Sequence, residues 1–496
     1  MKRSKTSPTL AVIFACVAFT LSLAVSAQAQ TVTFSDLSGI GIGGTGWEPY
    51  GTVTQATDGN FYGTATNGIF GGGGNIFRMT PDGQITNFYT FVCSRTKCPY
   101  GAAPQTAPIL GTDGNLYGVT SAGGNAPCAG GVFYRLTLQG KLSVLYNFGK
   151  TCSDGQWPQG ITLGSDGNFY GATVYGGNSS DSPGIIFKVT PSGEYTELYS
   201  FCSQANCADG EKPFSPPVEG DDGNFYGAAN NGGTMGGGVI YKVTASGAYS
   251  VIYNFCNLEN GACPDGAYPY AIAKDADGNF VGTADGGTSG YGVVFKITPN
   301  GKYSALYSFS NIGMFGWPGS QLTLANDRNL YGTFVGGGSG SWDGKLLGAI
   351  YRISSNGDFT PLHAFCQCGA GKGFNPIAGV FQGTDGNLYG TTAFGGIGPD
   401  TDEDWGYGTV FQYASGLGPI VETVPTAAKA GKQVLILGNH LSGTTSVTFN
   451  GMPADFTVES DTYIKATVPT GATSGAVSVT TPTGTLNSSP QFVVTR

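Results

Sequence analysis

The chain has 496 residues and a formal charge of −9; 11% of its residues are charged and 84 are glycine. An average soluble domain has about 25% charged residues and about 7% glycine, so this composition, with 26 Tyr and 30 Phe, leaves little room for helices and predicts many short strands joined by tight turns. An acidic chain without basic clusters is also excluded as a nucleic-acid binder, because it has no cations with which to displace counterions from phosphates.

The first segment reads as an export signal. Lys2, Arg3 and Lys5 precede an apolar run from Leu10 to Val25, and Ala27-Gln28-Ala29 fits the small-x-small cleavage rule, which places the cut before Gln30. The run is too short and too rich in Ser and Thr for a membrane anchor, and Phe14 stands where a lipid-modified Cys16 would need a small residue. A signal peptide over 1–29 is expected, with no membrane span in the mature chain and a periplasmic, outer-surface or extracellular destination. Its removal takes three positive charges and no negative ones, so the formal charge goes from −9 to −12.

Next comes a short β-segment, Thr31 to Leu37, and then a pattern that recurs seven times. D-G-N-[F/L]-Y-G begins at Asp58, Asp113, Asp166, Asp222, Asp277, Asp327 and Asp385, with Val281 replacing a Tyr and Arg328 replacing a Gly. A Pro stands eight or nine residues before each Asp, at Pro49, Pro104, Pro158, Pro213, Pro269, Pro318 and Pro376. Each unit predicts four strands: one after the Pro, one after the D-G turn, one after a Gly-rich loop, and one of the form L-Y-x-F. A period of 50–58 residues suits a four-stranded propeller blade. The seventh unit lacks its fourth strand, and the N-terminal segment 31–37 supplies a spare one. The expected fold over 30–416 is therefore a seven-bladed β-propeller whose last blade is closed by the N-terminal strand. The competing reading, an open solenoid, would need capping repeats at both ends, and none is visible. In such a meander the 2–3 loops and the blade-to-blade loops share one face, where a site would lie.

Ten cysteines remain after export. Cys93/Cys98, Cys202/Cys207 and Cys256/Cys263 form short-range pairs in blade-to-blade loops, and Cys128 and Cys152 belong to loops that the meander brings to one face. Cys366 and Cys368 complete the set, though a bond between them would be strained. Disulfides are expected in an oxidising destination; metal thiolates are the alternative.

From Pro419 the composition shifts to Val, Thr and Ser, and alternating segments predict a small immunoglobulin-like β-sandwich over 419–496. Gly438-Asn-His-Leu-Ser-Gly443, Val447-Thr-Phe-Asn-Gly451, Ala466-Thr-Val-Pro469 and Gly475-Ala-Val-Ser-Val479 resemble the IPT/TIG family. That resemblance implies an interaction module or spacer without catalytic residues. The D-G-N-[F/L]-Y-G-T and G-V-[I/V]-[F/Y]-[K/R]-[I/V]-T segments, over about 46–413, resemble the GloVer-type tandem-repeat proteins, which are exported bacterial proteins with varied C-terminal attachments.

Chemistry-bearing residues are few. Of the two histidines, His363 takes the place of a Tyr in L-Y-x-F and is expected to pack, while His440 lies in a loop. A His-ligated zinc, a Ser-His-Asp triad and haem are thereby disfavoured. The repeated Asp of D-G-N is expected to shape its turn. Arg78, Arg135, Lys188, Lys242, Lys296 and Arg352 recur on the third strand, with Gln412 in the seventh unit, and are expected to serve packing or pairing between blades. Asp400, Asp402 and Asp404 form an acidic loop that either holds calcium or is merely solvated; no other cofactor is expected. Trp342 and Trp405, in extended 2–3 loops, are the candidate ligand-binding aromatics, whereas Trp47, Trp157 and Trp317 beside the recurring Pro are expected to be structural. No catalytic residue stands out. The expected function is a secreted or cell-surface binding protein, monomeric, whose ligand is a glycan or a protein. The alternative is a carbohydrate-active enzyme, a glycosidase or polysaccharide lyase, working on the same loop face.

Overall fold

A computed structural model describes residues 33–39, 48–68, 72–94, 97–256, 263–309, 320–335, 346–366, 372–396 and 406–495. The expected signal peptide lies outside them. Among the described residues the chain is all-β, and its only helical segment is the short 3-10 turn Ala205–Cys207. Among those residues no helix is long and apolar enough to cross a membrane.

The repeats form seven four-stranded antiparallel sheets, each in meander order. Sheets one to seven begin at the inner strands Val53–Gln55, Ile109–Leu110, Gln156–Leu163, Val218–Glu219, Ile272–Lys274, Thr323–Leu324 and Phe381–Gln382. Six take all four strands from consecutive chain. The seventh adds Thr33–Gly39 to Thr409–Ala414, antiparallel from Thr33 opposite Ala414 to Gly39 opposite Thr409.

Local chemistry accounts for the repeat. In the third sheet, Asp166 accepts the backbone N–H of Asn168 at 3.0 Å, its amide at 2.7 Å and the Tyr170 hydroxyl at 2.8 Å, while Gly167 takes φ +82° between them. The aspartate therefore bonds the turn and anchors the next strand, as a turn-forming Asp does. The Gly after each Tyr lies under an aromatic ring of the third strand: a Cβ on Gly171 would come within 2.4 Å of Phe187, its cross-strand partner. Second and third strands are buried nearly throughout, while the described fourth strands are mostly half-buried to exposed.

Neighbouring sheets meet through one repeated seam. Each described recurring Pro packs on the positive-φ Gly that opens the third strand of the sheet before it, so that a Cβ on Gly184 would lie 2.9 Å from Pro213 Cδ. The residue before that Pro donates its N–H to the preceding sheet, as Lys212 does to the Pro183 carbonyl at 2.8 Å. The Phe of D-G-N-F-Y-G stacks on the previous sheet's Tyr, as in Tyr170–Phe225 at 3.7 Å. The same three contacts join the seventh sheet to the first: Gly408 against Pro49, Glu48 N–H to Tyr407 O at 3.2 Å, and Phe61 on Tyr389 at 4.3 Å.

The C-terminal segment has two four-stranded sheets and a parallel pair, Ala427–Lys429 with Val493–Thr495. Its core gathers Val434, Ile436, Val447, Phe449, Ile464, Val477 and Phe492. The opposite face of one sheet carries Val424, Leu435 and Leu437, which share a buried cluster with Ala56, Leu110 and Leu116 of the first two repeat sheets. Further contacts fall on the D-G turns. Thr462 Oγ1 donates to Thr57 O at 2.5 Å, Ile420 N–H to Thr384 O at 3.0 Å, and Asn326 Nδ2 to Gly418 O at 3.0 Å.

Candidate functional site

On the inner strands and the segments leading into them, residues that follow the recurring Pro come together from all seven sheets around one cavity of about 390 Å³. Tyr50, Gln105, Gln159, Phe214, Tyr270 and Ile377 occupy the position directly after the Pro, and Thr52, Thr54, Ile109, Gln321 and Thr323 line it further along. The lining holds amides, hydroxyls and apolar surface and, among the described residues, no charged side chain. Its size falls within the range of roughly 300–1,000 Å³ seen for small-ligand pockets.

Two tyrosines are fixed by carboxylates set back from the cavity. The Tyr50 hydroxyl donates to Glu48 Oε2 at 3.0 Å, and Asn67 Nδ2 also donates to that oxygen at 2.7 Å. The Tyr270 hydroxyl donates to Asp285 at 3.3 Å. Burial, reinforced by the neighbouring carboxylate, pushes each tyrosine up to about 12, so both stay neutral. Burial also raises the Asp285 carboxyl above the usual carboxylate range.

Around the loop-face mouth, every described residue directly before the recurring Pro is left-handed without being glycine: Glu48, Ala103, Trp157, Lys212, Tyr268 and Asn375, at φ +54° to +62°. Such a conformation costs a non-glycine residue about 1–3 kcal/mol. The N–H bond to the preceding sheet, 2.7–3.2 Å in all six, holds it in place. The backbone role is thus constant while the side chain differs in each sheet.

Exposed apolar side chains concentrate on this same face. Val92, Tyr100, Trp157, Tyr175, Phe214, Met235, Tyr268 and Tyr291 all stand on 2–3 loops, sheet-to-sheet connections or strand ends there; among the described residues Met452 of the C-terminal segment is the one other. Trp157 stacks on Tyr175 at 5.4 Å, and Lys212 Nζ lies 4.2 Å from the Tyr175 ring centre. Trp157 therefore packs as expected of a structural residue while its ring also reaches the surface, 36% exposed. The signal was present in the sequence: the residue before the invariant Pro changes from unit to unit.

Trp342, Trp405, Asp400, Asp402 and Asp404 lie outside the described residues, as do Trp47 and Trp317. Disulfides join Cys93–Cys98, Cys128–Cys152, Cys202–Cys207 and Cys256–Cys263. The Cys366 side chain and all of Cys368 are outside the description. Cys202, Cys207 and Glu211 converge as metal ligands would, but the two sulfurs are bonded to each other and neither is a thiolate. Of the recurring third-strand residues, Lys242 pairs within its own sheet with Asp222 at 2.9 Å, Lys296 with Asp275 at 3.9 Å, and Gln412 donates to the Tyr389 hydroxyl at 2.8 Å. Lys242 and Gln412 sit directly opposite the Tyr of D-G-N-[F/L]-Y-G, which brings the same sheet's aspartate within reach.

The sequence matches the Gloeobacter/Verrucomicrobia repeat over residues 48–268 and 218–448, and the IPT/TIG domain over 419–494. No curated protein sequence matches. Among solved structures, the chain is similar to virginiamycin B lyase from Staphylococcus aureus, at 18% identity and TM-score 0.43, covering 67% of this chain and 88% of that one. It is also similar to luciferin-regenerating enzyme, at 12% identity and TM-score 0.40, covering 78% and 97%. A third likeness is to an extracellular domain assigned to a hybrid two component system of B. thetaiotaomicron, at 12% identity and TM-score 0.46, covering 90% and 53%.

Proposed function

The chain belongs to the Gloeobacter/Verrucomicrobia repeat family, and from that premise we propose that it is an exported, non-enzymatic binding protein. In this reading the seven sheets are the blades of one closed β-propeller, sealed by the N-terminal strand, and a glycan or protein ligand docks on the loop face. The IPT/TIG domain is its spacer or second contact.

Closure is supported by the pairing of Thr33–Gly39 with Thr409–Ala414 and by the seam that repeats between the seventh sheet and the first. Export is supported by the four disulfides. The observation that carries the binding reading is the uncharged cavity, edged on one face by side chains held left-handed at some cost. A scaffold that needed only the backbone turn would be better served by glycine there.

The test is a binding screen of the mature chain against immobilised glycans and extracellular proteins, repeated with Gln105→Ala and Gln159→Ala. A bound ligand whose affinity falls about tenfold in either variant, at unchanged Tm, supports the reading; full binding in both moves the site elsewhere.

The enzymatic alternative rests on Glu48 and Asp285, two acids that each hold a cavity tyrosine. Hydrolase or lyase turnover by the mature chain, abolished in Asp285→Asn or Glu48→Gln, would replace the binding reading with it.

A further inference from the structure

The cavity differs at its two ends. Its loop-face mouth is edged by the residues before the recurring Pro. At the other end stand the D-G turns, and there the IPT/TIG domain makes contact with several sheets. It bonds the turns of the first, sixth and seventh sheets through Thr57, Asn326 and Thr384, and shares a buried cluster with the second through Leu110. A separate cavity of about 410 Å³ lies between its segment Ser474 to Val493 and the fourth to sixth sheets. On the inner strand Ile109–Leu110 the two environments are adjacent: Ile109 lines the central cavity and Leu110 belongs to the cluster shared with the C-terminal domain. The domain therefore spans the turn-face end of the cavity, which leaves the loop face as the entrance.

We infer that this is an end-on pocket for the terminus of an uncharged saccharide chain. The inference rests on the loop-face binding reading and narrows it.

Three observations carry it. A pyranose presents hydroxyls around its edge and C–H groups on its faces, and the lining answers both. Gln105, Gln159 and Gln321 offer amides, and Tyr50 and Tyr270, whose protons are committed to Glu48 and Asp285, offer acceptor oxygens; Phe214 and Ile377 offer apolar surface. Second, the lining has no charge. A peptide terminus would bring an ammonium or carboxylate, and a uronate or sulfate an anion, into a site with no counter-charge, at a desolvation cost the site does not offset. Third, a channel spanned at one end admits a chain end and not an internal stretch. The side chains before the Pro, Trp157 and Tyr268 among them, are then placed to contact the next sugar outward and to set specificity.

The mature chain, IPT/TIG domain included, is titrated with neutral glucan, xylan, mannan and galactan oligomers of increasing length, with oligogalacturonates, and with a peptide library. The expected result is binding of at least one neutral series, with affinity levelling off once the cavity and rim are filled. Oligogalacturonate should not compete, and cutting the matching polymer at constant mass should raise the amount of protein bound in proportion to the ends created. Affinity that keeps rising with length, capacity indifferent to cutting, a preference for oligogalacturonate, or no neutral saccharide bound would each overturn the inference. A peptide bound instead, and weakened about tenfold by Gln159→Ala, would overturn it while leaving the loop-face reading intact. A saccharide bound equally by wild type, Gln105→Ala and Gln159→Ala would overturn both.

Discussion

Two residues that break the repeat pattern meet in the folded chain. In the fifth unit Val281 stands where a Tyr hydroxyl would bond Asp277, and in the sixth Arg328 stands where the turn has Gly. The freed carboxylate of Asp277 pairs with Arg328 at 2.7 Å, with both side chains more than half exposed. Such a pair is worth about 0–1 kcal/mol, so Arg328→Ala should shift stability by no more than that in a denaturant titration. Gly408→Ala should be far worse. At φ +93° its Cβ would sit 2.4 Å from the Thr392 carbonyl and 2.6 Å from Pro49, and we expect a loss of about 3 kcal/mol, read from the same titration. His363 takes the Tyr position of L-Y-x-F and packs edge-on to Phe365 at 5.0 Å. Burial, aided by the Lys372 charge, pushes its pKa down to about 4 from 6.5. Between those values the unfolded chain takes up a proton that the folded chain refuses, so the His363 contribution to stability should fall as pH drops below 6.5. His363→Tyr, which restores the residue of other units, should flatten that part of the profile.

At the scale of elements, Thr33–Gly39 is the only strand that a repeat sheet borrows from a distant part of the chain. Beginning the chain at residue 40 would leave Thr409–Ala414 as an unpaired edge. We expect a lower Tm and concentration-dependent aggregation by light scattering, whereas a chain beginning at Gln30 should show neither. Cys128–Cys152 ties a 2–3 loop to the connection leaving the same sheet, over a sequence separation of 24. Replacing both cysteines by Ser should cost about 3 kcal/mol by loop entropy. The motif D-G-N-[F/L]-Y-G made these sheets legible because its residues act locally: Asp bonds its own turn, and Gly leaves room for the ring on the neighbouring strand. Seven such units, with a strand missing at one end and a spare at the other, were enough to anticipate the borrowed strand.

At the scale of the whole molecule, the join between the repeat sheets and the IPT/TIG domain contains a carboxyl. Glu422 lies on the same face of its sheet as Val424, Leu435 and Leu437, and its Oε2 is shut off from solvent without a hydrogen-bond partner. Burial pushes it up to about 7 from 4.5. The folded chain therefore keeps a proton between those values that the unfolded chain has lost, so the Glu422 contribution to stability should fall as pH rises from 4.5 toward 7 and level off above, opposing the His363 contribution over the lower part of that window. Glu422→Gln should remove that contribution, seen as a difference in Tm from the parent chain that changes between pH 4.5 and 7. If the difference is the same at every pH, another group is responsible.

By itself the sequence determined the strand-and-turn grammar, the number of units, the spare N-terminal strand, three short-range cysteine pairs and the identity of the C-terminal module, because each is written in residues close to one another in the chain. The tertiary structure decided the rest. It brought the described residues after the recurring Pro into one uncharged cavity, set Trp157 on the surface against Tyr175, paired Lys242 with the aspartate of its own sheet and laid the IPT/TIG domain across the D-G turns. The cavity and the IPT/TIG contacts depend on residues some fifty or more positions apart, the Trp157 and Lys242 contacts on cross-strand partners about twenty positions away, and no local propensity encodes which side chain lines the cavity.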